Sequence, residues 1–99
     1  ALSSHFVKKP QQSFLLRVRG ESMIDAGIFD GDLVIVASSD EPRAGDIVVA
    51  LIDNENTLKR LVKKDGKYYL KSENSDYNDF YPRQSLEIQG VVTGLFRNF

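Results

Sequence analysis

Two short segments carry side chains that are capable of nucleophilic chemistry. The first is Gly20-Glu21-Ser22-Met23, which follows an alternating segment typical of a β-strand. Its glycine permits a sharp turn that lifts the serine hydroxyl out of a sheet, as a nucleophile requires. A serine that follows a glycine at a strand end is also common as a turn residue or a helix N-cap, so Ser22 alone does not define a nucleophile.

A serine nucleophile requires a base, and the second segment supplies a candidate. The only histidine, His5, lies in a polar N-terminal stretch, which disfavours a Ser/His/Asp triad and leaves lysine. A lysine acts as a base near neutral pH when apolar neighbours desolvate it and no carboxylate stabilises its charge. In the strand-like residues 57–61, a period of two places Lys59 on one face with Thr57 and Leu61, without an acid.

Lys59 is therefore a candidate general base, and the Thr57 hydroxyl could bond and orient its amine. The alternative is a lysine that extends from a half-exposed strand into solvent.

The elements that would position these residues are predicted to be strands. Phe14, Leu16 and Val18 alternate with Arg17 and Arg19, which indicates a half-buried strand. The Val/Ile-rich runs 33–37 and 47–52 follow Gly-Asp turns and favour strands that are covered on both faces. Further strands are predicted at 57–62, 67–71, 86–88 and 91–96, with turns at 53–56 and 65–66 and one helical candidate at 22–28.

Short strands separated by turn residues predict a mainly β domain, a partly closed barrel or ribbon with little helix. Ninety-nine residues suit one such domain. We assign residues 1–13 to an N-terminal arm or linker and residues 14–99 to the domain.

Composition excludes several functions. Thirteen basic and fourteen acidic residues leave a net charge of −1, so no overall positive field attracts nucleic acid or an anionic membrane. With no cysteine and one histidine, we expect neither a metal nor a cofactor. The apolar runs are too short to span a bilayer and no signal peptide pattern is present, so we expect a cytoplasmic protein.

A basic cluster surrounds the predicted hairpin at Asp65-Gly66. It is either a docking surface for phosphate or an acidic partner, or a solvated hairpin that resists edge pairing. Its members are Arg60, Lys63, Lys64, Lys67 and Lys71.

The order of these blocks resembles the LexA/UmuD family of SOS-response peptidases. Gly20-Glu21-Ser22-Met23 followed by Asp30-Gly31-Asp32 resembles the family's nucleophile block, and Thr57-Leu58-Lys59-Arg60-Leu61 its lysine block. Ser22 and Lys59 are 37 residues apart, a spacing typical of the family. Glu73-Asn74-Ser75 and Ile88-Gln89-Gly90-Val91-Val92 match its C-terminal blocks, and the resemblance covers residues 10–97.

This resemblance implies a LexA/signal-peptidase-like fold with Ser22 as nucleophile and Lys59 as general base. It also implies that the amide of Ser22 and a neighbouring amide bind the oxyanion, and that Met23 shapes the cleft. The family cuts one bond in its own chain, N-terminal to the serine, so the expected substrate is the protein's own N-terminal segment.

Ser22-Met23-Ile24-Asp25 and Gly45-Asp46-Ile47-Val48 look closer to UmuD, whereas Phe14-Leu15-Leu16-Arg17-Val18 and Phe96-Arg97-Asn98 look closer to LexA. Of the two, we favour UmuD. A UmuD-type parent would be an accessory to error-prone translesion DNA synthesis, with a RecA filament as stimulator and a translesion DNA polymerase subunit as partner. The alternatives are the C-terminal domain of a LexA-like or phage repressor, or a non-catalytic dimeric interaction module. We also expect a homodimer through an uncovered apolar edge formed by residues 91–96.

Overall fold

The computed structural model describes residues 12–39, 41–82 and 86–97. In these residues six antiparallel strands form one sheet, in the order β1-β2-β6-β3-β4-β5. The strands are β1 (Ser13–Arg17), β2 (Leu33–Ala37), β3 (Ile47–Ile52), β4 (Glu55–Lys64), β5 (Lys67–Lys71) and β6 (Ile88–Phe96). A 3-10 helix, Ile24–Ala26, is the only helix in the described ranges, so the predicted mainly β fold is confirmed.

Both faces of the sheet carry a hydrophobic core. On β3, Val49 packs into one core, whereas Val48 and Ala50 pack into the other. The continuous apolar run of β3 is therefore covered on both sides, as predicted. On β2, by contrast, buried Val34 and Val36 alternate with half-buried neighbours, so only one face of β2 is fully covered.

Two hairpin turns connect β3, β4 and β5. Asp53 and Asn54 have φ of 51° and 65°, so they form a two-residue turn with both residues left-handed. The predicted four-residue turn at 53–56 was therefore too long, and β4 begins at Glu55. The turn predicted at Asp65-Gly66 is confirmed.

The last strand is longer than predicted. One strand, β6, replaces the two expected around Gly90, and it pairs with both β2 and β3. A Cβ at Gly90 would lie 2.6 Å from Val36 Cγ1 and 2.7 Å from the Ala37 carbonyl oxygen, so this glycine permits a close approach of β6 to β2. Because β6 is internal, the prediction that its residues form an uncovered edge was wrong.

Strand β1 lies at one edge of the sheet and is more exposed than its alternation predicted. Val18 is buried and Leu16 is half-buried, but Phe14 and Leu15 are 37% and 57% exposed. The strand begins at Ser13, and most of the predicted arm, with His5, lies outside the described residues. Within those residues, no helix has the length and hydrophobicity needed to cross a membrane.

Candidate active site

A tight turn after β1 presents Ser22. Gly20 has φ of +83°, a conformation that side-chain-bearing residues rarely adopt, and its amide donates to Asp30 Oδ1 at 2.7 Å. The 3-10 helix that follows has Met23 as its N-cap residue, without a side-chain cap. Ser22 is therefore not the N-cap of this helix, and its half-buried hydroxyl is free for another partner.

Residues just after β5 hold the turn from the other side. The amide of Asp25 donates to the Glu73 carbonyl oxygen, and Asn74 Nδ2 donates to the Glu21 carbonyl oxygen, each at 2.8 Å. These bonds connect segments about fifty residues apart and bring the Ser22 turn beside the end of β5. Local sequence patterns did not indicate this role for residues 73–74, which only the family resemblance singled out.

Lys59 reaches the Ser22 turn from β4. Its Nζ donates to Ser22 Oγ at 3.3 Å, so the structure brings the two predicted site residues together. The lysine is only 9% exposed, and its Cα partner on β3 is the buried Val48. Burial lowers the pKa of the Lys59 ammonium below its ordinary value because the charged form loses its water.

No carboxylate compensates for that loss of water in the part of the chain that the structure describes. Glu73, which belongs to the segment that holds the Ser22 turn, pairs with Arg60, whose Nε lies 2.8 Å from Glu73 Oε1. The other ion pair among the described residues joins Asp32 to Arg97. Lys59 thus meets the requirement stated from the sequence, that a lysine base is desolvated and has no carboxylate to stabilise its charge.

Thr57 does not have its predicted role. Its hydroxyl donates to the Glu55 carbonyl oxygen of its own strand at 3.4 Å rather than contacting the Lys59 amine. A threonine hydroxyl commonly bonds nearby backbone in this way, and the period-two argument could not account for that competition.

A cleft of about 410 Å³ lies beside Ser22. It runs between the end of β1 and the start of β4, and buried Met23 lines it, as expected for a residue that shapes the cleft. Strand β5 pairs with β4 only from Arg60 onward, so residues 55–59 of β4 have no hydrogen-bonded strand partner among the described residues on the β5 side. The cleft can therefore receive an extended peptide next to the serine hydroxyl.

The predicted basic cluster is divided by the structure. Arg60 makes structural contacts within the domain, because it pairs with Glu73 and its Nη1 donates to the Gly45 carbonyl oxygen at 2.7 Å. Lys63 Nζ lies 5.3 Å from the centre of the Tyr68 ring, a cation–π distance. The described residues contain no group of three or more His, Cys, Asp or Glu side chains that could bind a metal ion.

An ion pair near the site was not predicted. Asp32 is 4% exposed, and its carboxylate accepts hydrogen bonds from Arg97 and from the Phe29 amide. These bonds, together with the positive charge of Arg97, lower the pKa of Asp32 from 3.8 to about 2. The pair spans 65 residues of sequence, and no local pattern indicates a contact of that range.

Comparison with known proteins identifies the class to which this fold and site belong. The Peptidase S24-like family matches residues 1–93, and the chain belongs to that family. The predicted membership of the LexA/UmuD group is thereby confirmed at the level of the family.

Among curated relatives, the LexA repressor of Clostridium novyi (strain NT) is 43% identical over 99 residues, 99% of this chain and 48% of the relative. The LexA repressor of Verrucomicrobium spinosum is 50% identical over 86 residues, 87% of this chain and 42% of the relative. The LexA repressor of Shewanella piezotolerans is 44% identical over 93 residues, 91% of this chain and 45% of the relative. The chain thus spans less than half the length of these relatives, and their names do not support the expected closeness to UmuD.

Proposed function

We propose that this chain is the self-cleaving serine peptidase domain of a LexA-type repressor of the SOS response. The observation that carries the proposal is the 3.3 Å contact between Lys59 Nζ and Ser22 Oγ at a buried site. The names of the relatives favour the LexA-like alternative over an accessory of translesion synthesis. A non-catalytic module would have no need for a buried lysine amine beside a serine hydroxyl.

The proposed chemistry begins with neutral Lys59. Its amine takes the proton of Ser22, and Oγ attacks the carbonyl carbon of a peptide bond to give a tetrahedral oxyanion. The amides of Ser22 and Met23 are suited to bind this oxyanion, since neither donates to another acceptor within the described residues. The Lys59 ammonium then gives its proton to the departing amine, and an ester on Ser22 remains.

Water completes the reaction. Lys59, again neutral, takes a proton from a water molecule that attacks the ester carbonyl, and the serine hydroxyl is restored when the acid product leaves. One lysine thus acts as base and then as acid in each half of the reaction. Burial favours this role because it weakens the hold of the amine on its proton.

The proposed substrate is one bond of the parent chain, N-terminal to Ser22. The proposed stimulator is a RecA filament, and DNA binding is assigned to another part of the parent because this chain has a net charge of −1. The sequence upstream in the parent decides between repressor and polymerase accessory. A helix-turn-helix domain there supports the LexA-type proposal, whereas a short tail overturns it.

A serine-directed fluorophosphonate probe tests the site directly. We expect labelling at Ser22, mapped by mass spectrometry, in the wild-type chain at alkaline pH. Labelling should disappear in Ser22→Ala and in Lys59→Ala, because the two residues act as one unit. Lys63→Ala is the matched control, since Lys63 is exposed and lies on the same strand. Full labelling of Lys59→Ala, or none of the wild type, would overturn the proposal.

A further inference from the structure

A second serine lies buried near the site without a partner. Ser72 is 4% exposed, and its Oγ is buried with no hydrogen-bond partner in the part of the chain that the structure describes. Buried hydroxyls are almost always hydrogen-bonded in proteins, so an unpaired one beside a candidate active site calls for a specific explanation. The mechanism above does not use this hydroxyl.

The register of the sheet indicates which residue Ser72 neighbours. The last observed pair of β4 and β5 is Arg60 with Lys71, and Ser72 follows directly after β5. If the same antiparallel register is extended by one step beyond this pair, Ser72 lies opposite Lys59. Burial agrees with this alternation, because Leu70 and Ser72 are buried whereas Lys71 between them is exposed. Side chains at opposed positions have their Cβ atoms about 5 Å apart on one face.

Lys59 therefore lies between two neighbours of different chemistry. On one side is Val48 of β3, which is fully buried and apolar. On the other side, by register, is the hydroxyl of Ser72. The lysine amine is at the end of a flexible four-carbon chain, so a change of rotamer can redirect it from Ser22 Oγ toward Ser72 Oγ.

The protonated amine requires more acceptors than Ser22 alone provides. An ammonium has three N–H donors, and Ser22 Oγ accepts one of them. The Thr57 hydroxyl donates to the Glu55 carbonyl oxygen and makes no hydrogen bond with Lys59, and Glu73 is paired with Arg60. Ser72 is the remaining buried side-chain acceptor that the described residues place in register with the lysine.

We propose that the Ser72 hydroxyl accepts a hydrogen bond from Lys59 Nζ once the lysine has taken the proton of Ser22. Ser72 is then a positioning residue for the Ser22–Lys59 pair: it stabilises the ammonium and directs it away from the serine oxygen during attack. The inference rests on the proposed function for its role in the reaction, but the contact itself is measurable without any activity.

Loss of this contact changes the lysine in a defined direction. The hydrogen bond stabilises the charged form, so Ser72→Ala lowers the pKa of Lys59. A lysine of lower pKa is a weaker base, and the reaction of Ser22 at high pH becomes slower. At low pH the loss is smaller, because a larger fraction of the amine is neutral in the variant. A merely structural role would lower the rate by the same factor at every pH.

The first experiment titrates the amine itself. The chain is labelled with lysine carrying ¹³C at Cε, the Lys59 signal is assigned with Lys59→Arg, and its shift is followed with pH in wild type, Ser72→Ala and Ser75→Ala. Ser75 is exposed in the loop that follows Ser72 and is the matched control. We expect a lower midpoint in Ser72→Ala alone. An unchanged midpoint in a folded Ser72→Ala overturns the proposal, whether or not the wild type has any peptidase activity.

The second experiment follows fluorophosphonate labelling of Ser22 in the same three proteins from pH 6 to 10. We expect Ser72→Ala to lose about tenfold in rate at the high-pH plateau, equivalent to one hydrogen bond to a charged group, and less at pH 6. Equal losses at both ends would overturn the role in positioning. A wild type that is never labelled contradicts the proposed function instead, and the titration then decides the contact on its own.

Discussion

Arg97 binds both carboxylate oxygens of Asp32, through Nε at 2.9 Å and Nη2 at 2.6 Å. The same Nη2 donates to the Gly27 carbonyl oxygen at 2.8 Å, and the guanidinium lies 4.8 Å from the centre of the Phe29 ring. Because Arg97 follows β6, one side chain ties the last strand to the loop between Ser22 and β2. This loop continues the turn that presents Ser22.

We predict that this ion pair contributes fully to stability above about pH 4 and loses most of that contribution by pH 2. The pKa of Asp32 is lowered from 3.8 to about 2, so its contribution is complete above 3.8 and is lost as pH falls toward 2. Arg97→Gln should therefore reduce the free energy of unfolding at pH 7 and have little effect at pH 2. Urea denaturation at both pH values measures this, with exposed Arg19→Gln as control. A deficit that is the same at both pH values would assign the effect to packing.

The rate of Ser22 labelling is predicted to rise with pH along a single ionisation of Lys59. Burial lowers the pKa of this lysine from 10.5, so the midpoint should lie below that value. Lys59→Arg should be inactive at every pH, because a guanidinium does not release its proton. A rate that does not vary with pH, or an active arginine variant, would identify another base.

Lys59→Met should be more stable than the wild type although it is inactive. The wild-type chain buries an amine that no carboxylate in the described residues pairs with, and methionine replaces it with an apolar chain of similar length. Functional groups of this kind are commonly retained at a cost to stability. Thermal unfolding at pH 7 measures the difference, and exposed Lys63→Met controls for added hydrophobicity. A lower melting temperature for Lys59→Met than for the wild type contradicts the prediction.

Gly20→Ala should impair Ser22 more than it impairs the fold. Gly20 has φ of +83°, and a Cβ there would meet nothing within 4 Å, so the substitution causes backbone strain without a clash. We expect a loss of about 1 kcal/mol in unfolding free energy, with a larger loss in labelling because the turn shifts. Gly66→Ala is the matched control, with φ of +77° and open space in the β4–β5 hairpin. Equal rates of Ser22 labelling in Gly20→Ala and Gly66→Ala would contradict the prediction, because they would show that the Gly20 turn does not position Ser22.

The pairing of Ser22 with Lys59 could be predicted because its determinants are local or carried by resemblance. A glycine before the serine and a period of two around the lysine specify a turn and a face. The apolar run of β3 likewise indicates burial on both sides, because an uninterrupted apolar run places apolar side chains on both faces of a strand. Such features need no knowledge of distant contacts.

Features that depend on distant contacts could not be predicted in this way. Gly90 is typical of a break, yet β6 continues through it because β2 approaches too closely for a side chain. The burial of Ser72 depends on its register with β4, and the role of Arg97 depends on a carboxylate 65 residues away. In each case the residue that decides the outcome lies on another strand or loop, and a local sequence pattern does not identify it.

The last prediction is a homodimer formed through the outer face of β1, β2 and β6. Directly opposed residues share a face, and the register opposes Leu15 to Ile35 and Leu33 to Phe96. Leu15 is 57% exposed and Phe96 is 56% exposed, whereas Val34, on the opposite face of β2, is buried in the core. A large apolar patch on one face of a sheet commonly marks an interface, and a two-fold contact uses the same patch on both subunits. Sedimentation at tens of micromolar should give a dimer for the wild type and a monomer for Phe96→Asp, while Tyr68→Asp, an exposed aromatic on β5, stays dimeric. A monomeric wild type refutes the prediction, and a dimeric Phe96→Asp assigns the contact to another surface.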